Sequence, residues 1–501
     1  MEPLQWLRAC APLFLLLIFI KYTVGCILTY IRNSSNSDLY SIPFPPLPFW
    51  KRYTVGHNLL YHILRADAFD TASLINSWRK AHGPVFQVFS LFGERSLFVT
   101  SESAIRMVHV SKQASFKKAA STRRSIASLV GENGLLLAEG EKHSRLRRAV
   151  APSMHHNALS TVGNIFLDQG HLLVERLSTM GNSGGDVLRE VRVATFVAIF
   201  ETCLGKNATT PDVVARLQEA YYIVFPEPPL KMLANRIRHK FLWFIDQKHF
   251  SYRKDLKDYI RTTIRDICAK RTREIESGPD EAGTPLVALM VDEDTKKNIP
   301  HEAMVETVLS FLVAGQVTTS MSVCWTLYEL ARDSVWQGRL CEELKAWSAD
   351  DGMEALDQLP LLDRIVKESL RMYPPVFFNT RETTKSVDLD GFTVPKDTLV
   401  RTPILAIQRN EEIWGSDAAH FNPDRFLRDY VVAQSKMYWC LFVFGSRGCI
   451  GQRFAMLEMK AFVVQVLLRQ RVSVKPLKDA VPTCVGPFAT PNGLKLYFEN
   501  R

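Results

Sequence analysis

The chain has 501 residues, of which 47% are hydrophobic, 23% charged and 10% aromatic, with 25 Gly and 25 Pro. This composition excludes a disordered, collagenous or fibrous protein and predicts a globular fold with a large core. The formal net charge of +10 admits nucleic acid, anionic lipid or an acidic protein as a partner, so the positions of the charges must decide among them.

The nine cysteines are an odd number and are scattered along the chain. They form no CxxC pair and no Cys/His spacing of the zinc type. A disulfide-linked fold is therefore disfavoured, and reduced thiols in the cytosol are expected.

The first residues predict a membrane anchor. Residues 9–20 carry no charge, and after Lys21 an apolar pattern continues to Ile31. A bilayer span needs about 20 apolar residues, so the helix either spans 4–20 or includes Lys21. A cleaved secretory signal is the alternative, but no small-residue cleavage site follows the apolar run. We expect residues 1–31 to be a single-pass transmembrane anchor, with basic residues after it that place the body of the protein in the cytosol.

The next segment, residues 32–48, is polar and then proline-rich, which predicts a stiff extended linker. No repeat or long linker interrupts residues 49–501, which are predicted to form one large domain in which helical patterns dominate. Helices are predicted at 138–149, 256–273, 300–331, 360–372 and 451–469, and strands at 85–90, 387–394 and 494–498.

One cysteine lies in a segment that favours metal binding. The segment 442–451 reads FVFGSRGCIG, with Cys449 between two glycines, shortly after Arg447 and just before a helical pattern. The N-terminus of a helix offers free N–H groups and the positive end of the dipole, and both favour a thiolate. Gly451 would let the backbone lie close to a flat cofactor. A buried, unreactive thiol is the alternative for this cysteine taken alone.

The pattern FxxGxRxCxG in this segment resembles the haem-binding loop of the cytochrome P-450 superfamily. The resemblance implies that Cys449 is the axial thiolate of haem iron, that Arg447 pairs with a haem propionate, and that Phe442 and Gly451 contact the cofactor. It also implies a mainly α (α+β) fold, in which a triangular helical domain carries a small β-rich lobe. It covers residues 49–501 through four ordered motifs.

A second and a third motif match the family. In the sequence Glu368-Ser-Leu-Arg371 the two ions lie at i and i+3 of a predicted helix, where they can pair. The family buries such a pair against an arginine from a downstream segment, which FNPDRF at residues 421–426 matches. The resemblance thus makes Glu368, Arg371 and Arg425 a structural triad that supports the cysteine loop. A solvated surface pair is the alternative for Glu-x-x-Arg alone.

The fourth motif, Ala314-Gly315-x-x-Thr318-Thr, resembles the helix that crosses the oxygen-binding face of haem. Gly315 lacks a Cβ and would leave room for dioxygen and water, while the Thr318 hydroxyl could bond the Ala314 carbonyl. The resemblance gives Thr318 the role of holding dioxygen and the waters that deliver protons. Val317 stands where relatives commonly have an acid. Either water held by Thr318 and Gln316 suffices, or the enzyme rearranges or dehydrates an already oxygenated substrate.

Three further residues are expected to contact the cofactor. Arg381 stands where many relatives hold a second propionate contact. His143 replaces a common tryptophan and would donate to a propionate, and Arg147 matches an arginine of the family. A solvated or core position is the alternative for Arg381 and His143.

Basic residues predict a docking face for a partner. The residues are Lys142, Arg145, Arg148, Arg453 and Lys460. An acidic flavoprotein, an NADPH-cytochrome P-450 reductase, could dock on this face by charge complementarity, whereas solvated charge without a partner is the alternative. No aromatic-basic module supports nucleic-acid binding.

The residues at the family's substrate positions are apolar and favour a lipophilic small molecule. They are Ile126, Leu129, Phe311, Val313, Ala314, Val376, Phe377, Phe378 and Phe488. We expect a membrane-bound monooxygenase of the endoplasmic reticulum that inserts one oxygen atom from O2 into a terpenoid or polyketide intermediate, as in fungal secondary metabolism. The alternatives are a reductase-independent haem-thiolate isomerase or dehydratase, a fatty-acid or steroid hydroxylase, and a non-catalytic haem or lipid carrier.

Overall fold

The computed structural model describes residues 41–45, 68–89, 95–154, 156–180, 185–224, 247–277, 286–291, 299–427, 436–474, 483–485, 488–491 and 494–501. The predicted anchor and most of the predicted linker lie outside these residues.

The described part of the chain is mainly helical, which confirms the predicted fold class. Its α-helices are α1 (Ala68–His82), α2 (Glu102–Arg106), α3 (Ala120–Val130), α4 (Gly140–Val150), α5 (His156–Ser178), α6 (Val187–Leu204), α7 (Pro211–Val224), α8 (Gln247–Ser277), α9 (Leu286–Val291), α10 (His301–Arg332), α11 (Ser334–Leu344), α12 (Gly352–Asp357), α13 (Pro360–Met372), α14 (Ile404–Gln408), α15 (Glu411–Trp414) and α16 (Gln452–Arg469). Its strands are β1 (Val85–Phe89), β2 (Arg95–Val99), β3 (Phe116–Lys118), β4 (Gly185–Asp186), β5 (Phe378–Thr383), β6 (Val387–Leu389), β7 (Phe392–Val394), β8 (Leu399–Pro403), β9 (Gln470–Ser473), β10 (Thr483–Val485), β11 (Phe488–Thr490) and β12 (Lys495–Asn500).

The chain divides into two compact units. The first contains Phe69–Ala119 and Asn379–Pro403, together with residues 41–45. It is built on a five-stranded sheet with the order β1-β2-β8-β5-β3, in which β2 and β8 run parallel. Every residue of β1 and β2 is buried, and β-branched and aromatic side chains supply this core, as expected for strands covered on both faces.

One predicted strand of the first unit is wrong as a single element. Residues 387–394 form a hairpin in which β6 pairs antiparallel with β7. Asp390 and Gly391 have φ values of 51° and 83° at its turn. An Asp-Gly pair with two positive φ angles makes the type I′ turn that suits the twist of a two-residue hairpin.

The second unit contains Ala120–Phe378 and Ile404–Arg501 and packs around α10. This helix contacts α6, α13 and α16, and α16 also packs on α5. Nearly all its side chains are buried, as expected for a helix that is apolar on every side. In the part of the chain that the structure describes, α10 is also the one helix long and apolar enough to cross a membrane, but 83% of its most apolar window is buried inside the protein.

Candidate functional site

The cysteine loop is closed by its own backbone. Short 3-10 turns at Cys440–Phe442 and Gly445–Arg447 precede Cys449. The Cys449 N–H donates to the Phe442 carbonyl at 2.7 Å. Gly445 has a φ of +68°, and a Cβ at Gly448 would lie 3.2 Å from the Gly445 carbonyl oxygen. The turn itself therefore favours glycine at positions 445 and 448.

The Cys449 side chain has exposed surface. Burial nevertheless raises the pKa of its thiol. The Gly451 N–H donates to this sulfur, and this bond and the Arg147 charge both act to lower the pKa. Gly451 is also the N-cap of α16, where a Cβ would meet no protein atom within 4 Å. An N–H donor and a nearby cation are the environment that favours a sulfur anion.

A single sulfur donor fits a metal that brings its other ligands with it. Among the described residues, no group of three or more His, Cys, Asp and Glu side chains could hold a metal ion. Structural zinc sites need about four protein ligands, so such a site does not suit Cys449. Haem supplies four nitrogen ligands of its own, and one thiolate completes its proximal side.

One face of α4 lies against the cysteine loop. His143 and Arg147 follow Glu139 at intervals of four residues, so the three side chains share a helix face. Arg147 Nη1 donates to the Gly448 carbonyl at 2.7 Å. Burial lowers the pKa of Arg147, and Cys449 acts in the opposite direction. The structure therefore places Arg147 beside Cys449, with the buried His143 one turn earlier on the same face.

Arg447 of the cysteine loop contacts the residues just before α4. Its Nη1 donates to the Ala138 carbonyl at 2.7 Å, and its Nη2 pairs with the Glu139 carboxylate. Burial lowers the pKa of Arg447; Glu139 opposes this effect and Arg147 adds to it. Sequence reasoning missed Glu139. The available signal was a glutamate at a helix N-cap, a position that usually carries Ser, Thr, Asp or Asn.

The predicted triad is present and fully buried. Arg371 Nε lies 2.8 Å from Glu368 Oε2, and Arg425 Nε lies 3.3 Å from Glu368 Oε1, with all three side chains 0% exposed. Arg425 also pairs with Asp417 at 2.6 Å. The triad contact is thereby confirmed, and these buried charges have partners, as burial requires.

A buried glutamine connects the triad to the cysteine loop. Arg371 Nη1 donates to the Gln408 carbonyl at 2.6 Å. The Gln408 side-chain amide donates to the Tyr438 carbonyl and lies 3.7 Å from Cys440 Sγ. Cys440 begins the turn that ends at the Phe442 carbonyl, the acceptor of the Cys449 N–H. These contacts give the triad a physical route by which it supports the loop, and no local sequence signal identified Gln408.

The middle of α10 has one exposed stretch in an otherwise buried helix. Ala314 is exposed and Thr318 is partly exposed, while Val313 and Val317 are buried. The Thr318 hydroxyl donates to the Ala314 carbonyl at 2.8 Å, which confirms the predicted bond. This hydroxyl thus lies on the open side of a core helix.

Gly315 packs against a neighbouring helix. A Cβ at Gly315 would lie 3.0 Å from Cγ1 of Ile199 on α6. The missing side chain therefore makes room for this helix, and its predicted role beside dioxygen and water stays a prediction. Gln316 and Val317 are each 2% exposed, so both side chains lie in the core of the second unit.

The predicted substrate positions lie on α3, on α10, at the start of β5 and on β11. All of them are described except for the side chain of Phe488 on β11. Leu129, Phe311, Val313 and Phe377 are buried, and Ile126, Val376 and Phe378 are partly exposed. Arg381 belongs to the first unit, where it is buried on β5 opposite Lys118 of β3. Its predicted role at the cofactor stays a prediction.

One residue of the predicted basic face is misplaced. The Lys460 side chain is 2% exposed and pairs with Asp357 at 2.7 Å and Asp363 at 2.9 Å. From its place on α16, the Lys460 side chain reaches the acids of α12 and α13, so it is a core cation. Arg145 and Arg148 are exposed on α4, and the Arg453 side chain is 46% exposed.

A cleft of about 440 Å³ lies beside the loop. Its lining includes Trp439, Phe442, Ile450, Arg453 and Met456. Phe442, which was predicted to contact the cofactor, therefore also borders this cleft.

Comparison with known proteins identifies relatives over nearly the whole chain. The family model "Cytochrome P-450" matches residues 47–495. Cytochrome P-450 734A4 of Oryza sativa subsp. japonica is 27% identical over 96% of this chain and 90% of its own length. Cytochrome P-450 monooxygenase 128 of Postia placenta is 28% identical over 89% and 88%. Cytokinin hydroxylase of Arabidopsis thaliana is 26% identical over 84% and 82%. These relatives come from plants and fungi, so the fungal origin stays a prediction.

Proposed function

The chain belongs to the cytochrome P-450 family of haem-dependent monooxygenases with a cysteine thiolate ligand, and we propose that Cys449 supplies this thiolate. Haem supplies the reductive activation of dioxygen and the insertion of one oxygen atom into a C–H bond. The protein supplies the sulfur ligand, the arginines beside it and the Thr318 hydroxyl on α10.

The accessibility of Cys449 is the observation that carries this proposal. A second cysteine of the segment, Cys440, is fully enclosed, and burial raises the pKa of its thiol to about 12. Its sulfur lies beside the Gln408 amide in the core. Cys449 instead has exposed surface and accepts the Gly451 N–H. Only the second arrangement leaves room on the sulfur for a metal.

A pair of matched variants tests the ligand. Cys449→Ala is expected to abolish the thiolate-type absorption spectrum of the reduced carbon-monoxide complex. Cys440→Ala removes a thiol nine positions earlier and is expected to retain that spectrum. A thiolate spectrum that survives in Cys449→Ala, or is lost only in Cys440→Ala, contradicts the assignment.

We infer that Thr318 holds a water or a proton on the open side of α10. Its hydroxyl is fixed by the Ala314 carbonyl, so its oxygen lone pairs remain available as acceptors. Val317 cannot titrate and is buried, which leaves Thr318 as the polar side chain of this stretch with exposed surface.

We propose a lipophilic substrate, a terpenoid or polyketide intermediate, with electrons from an NADPH-cytochrome P-450 reductase. The apolar side chains at Ile126, Val376 and Phe378 support the substrate class, because each keeps some exposed surface. The exposed Arg145 and Arg148, with Arg453 at the cleft, support docking of an acidic partner. Anchoring by residues 1–31 in the endoplasmic reticulum is part of the same proposal.

Substrate and electron donor can be tested together. Cells that express the full chain with a reductase are fed candidate terpenes and polyketides, with fatty acids and steroids as comparison substrates. NADPH-dependent hydroxylated products from the first two classes support the proposal. Products from the fatty acids or steroids alone would move the substrate to that class.

A second candidate is a reductase-independent isomerase or dehydratase. The observation that favours it is Val317, a buried apolar residue where proton relay commonly uses an acid. Turnover of an oxygenated substrate by the purified chain without NADPH and reductase would establish this alternative.

A further inference from the structure

Glu139 occupies an N-cap position without capping its helix. It precedes Gly140 at the start of α4, and its side chain makes no capping hydrogen bond. Glutamate is a weak N-cap residue because its longer side chain does not fit the local N–H groups well. The carboxylate is instead used across the site, where it pairs with Arg447 308 positions away in the chain.

Two arginines lie close together at this point. The Arg147 charge lowers the pKa of Arg447, and each guanidinium is partly buried. Like charges in this setting repel more strongly than in water. The side chains of Arg447 and Glu139 are 11% and 30% exposed, so solvent screens the pair only in part. Glu139 is therefore the anion paired with Arg447 at the point where the Arg147 charge acts on the same guanidinium.

The two arginines link the cysteine loop to α4, one near each end of the helix. Arg447 Nη1 donates to the Ala138 carbonyl just before the helix, at 2.7 Å. Arg147 Nη1 donates to the Gly448 carbonyl, also at 2.7 Å. Residues 139 and 147 are about 12 Å apart along a helix. The loop is thus held in place by charges whose mutual repulsion Glu139 offsets.

A guanidinium has five N–H donors, and these contacts of Arg447 use two of them. The remaining N–H groups can donate to a second anion without displacing Glu139. With two arginines and one glutamate, the cluster also keeps one unit of positive charge for such an anion.

We propose that Glu139 is a positioning residue that stabilises the haem-free cysteine loop by offsetting the Arg147–Arg447 repulsion until the haem propionates take over that role. The inference rests on the proposed function, since it requires haem to bind beside Cys449. Glu139 matters most in the haem-free chain. In the haem-loaded chain, its charge and the propionate charges lie beside the same arginines and repel one another.

One substitution of Glu139 should have opposite effects on the stability of the haem-free chain and on its haem affinity. Glu139→Gln keeps an oxygen acceptor for Arg447 and removes the negative charge. The haem-free chain should become less stable, because the arginine repulsion is no longer offset. Haem affinity should rise by about two- to fivefold, the scale of one partly screened charge pair, because the propionates meet a more positive cluster. The two effects have one cause, because the arginine repulsion that destabilises the haem-free chain is relieved when the propionates bind.

The experiment compares full-length wild type, Glu139→Gln and the control Glu141→Gln. Glu141 is an exposed acid in the first turn of the same helix, so its removal changes the net charge equally. Each chain is produced under haem depletion, its denaturant midpoint is measured, and it is titrated with hemin at low and high salt. Glu139→Gln should show a lower midpoint and a smaller dissociation constant for hemin than Glu141→Gln, and high salt should reduce both differences.

The outcomes separate this inference from the proposed function. Loss of both stability and haem affinity in Glu139→Gln would show a merely structural role and overturn the proposal, as would behaviour equal to that of Glu141→Gln. Glu139→Asp, which keeps the charge, should move both quantities back towards wild type. A wild-type chain that binds no hemin through sulfur would instead overturn the proposed function itself.

Discussion

Removal of the buried carboxylate at the centre of the triad should strongly destabilise the protein. Glu368 accepts two bonds from Arg371, each 2.8 Å long, and one of 3.0 Å from the Asn422 N–H. Arg425 Nε adds a contact of 3.3 Å. In Glu368→Gln, one oxygen becomes an NH2 group that points at guanidinium donors, and the negative charge is lost.

The two arginines are affected unequally. Arg425 keeps the Asp417 carboxylate at 2.6 Å. Among the described contacts, Arg371 keeps only carbonyl acceptors, those of Gln408, Ala418 and His420. An uncompensated buried charge costs about 3–5 kcal/mol. We therefore expect Glu368→Gln to lower the free energy of unfolding by about that amount.

The assay is guanidinium unfolding of the haem-loaded full chain, followed by circular dichroism and by haem absorbance. The matched control is Glu342→Gln, because Glu342 pairs with Lys345 at 2.7 Å while both side chains are 70% exposed. Such an exposed pair contributes about 0–1 kcal/mol. If Glu368→Gln is no more destabilising than Glu342→Gln, the reasoning from burial and unpaired charge is refuted.

Four further changes should give measurable effects. Gly315→Ala places a Cβ 3.0 Å from Ile199, and we expect overpacking to outweigh the better helix propensity by about 1 kcal/mol in chemical unfolding. Thr318→Val removes the hydroxyl on the open side of α10 and should raise the peroxide released per NADPH consumed. Lys460→Met leaves two carboxylates without their shared cation and should lower the unfolding midpoint without weakening reductase binding. Burial lowers the pKa of His109 from the usual histidine value of 6.5 to about 3. The unfolded chain thus binds more protons between these values, so stability falls as pH falls below 6.5, by up to about 1.4 kcal/mol per pH unit, and His109→Gln should remove this part of the slope.

Each of these changes has a matched control. Gly338→Ala, where a Cβ meets nothing within 4 Å, should be stabilising if the Gly315 clash is real. Thr318→Ser keeps the hydroxyl and should keep coupling close to wild type. Arg453→Met removes an exposed cation and should affect reductase binding more than stability. His171→Gln removes the imidazole of an exposed histidine and is the control for His109→Gln. A control that behaves like its test variant contradicts the corresponding prediction.

The sequence predicted those features in which residue order and local geometry coincide. The cysteine motif, the Glu-x-x-Arg pair and the Thr318 to Ala314 bond lie within one turn or one helix. For the same reason, the predicted helix at 360–372 coincides with α13, where Pro360 stands at the first position.

The tertiary structure alone decided what each side chain meets. Gly315 faces Ile199 because α6 crosses α10 at that point, and Lys460 pairs with acids because α16 turns it towards α12 and α13. Glu139 meets Arg447 across 308 positions, a contact that local periodicity does not encode. The pattern of residues determined the chemistry that this chain could carry. Long-range packing determined which charges are buried, which are paired and which remain available, because burial and Coulomb energy depend on distance in space rather than on distance along the chain.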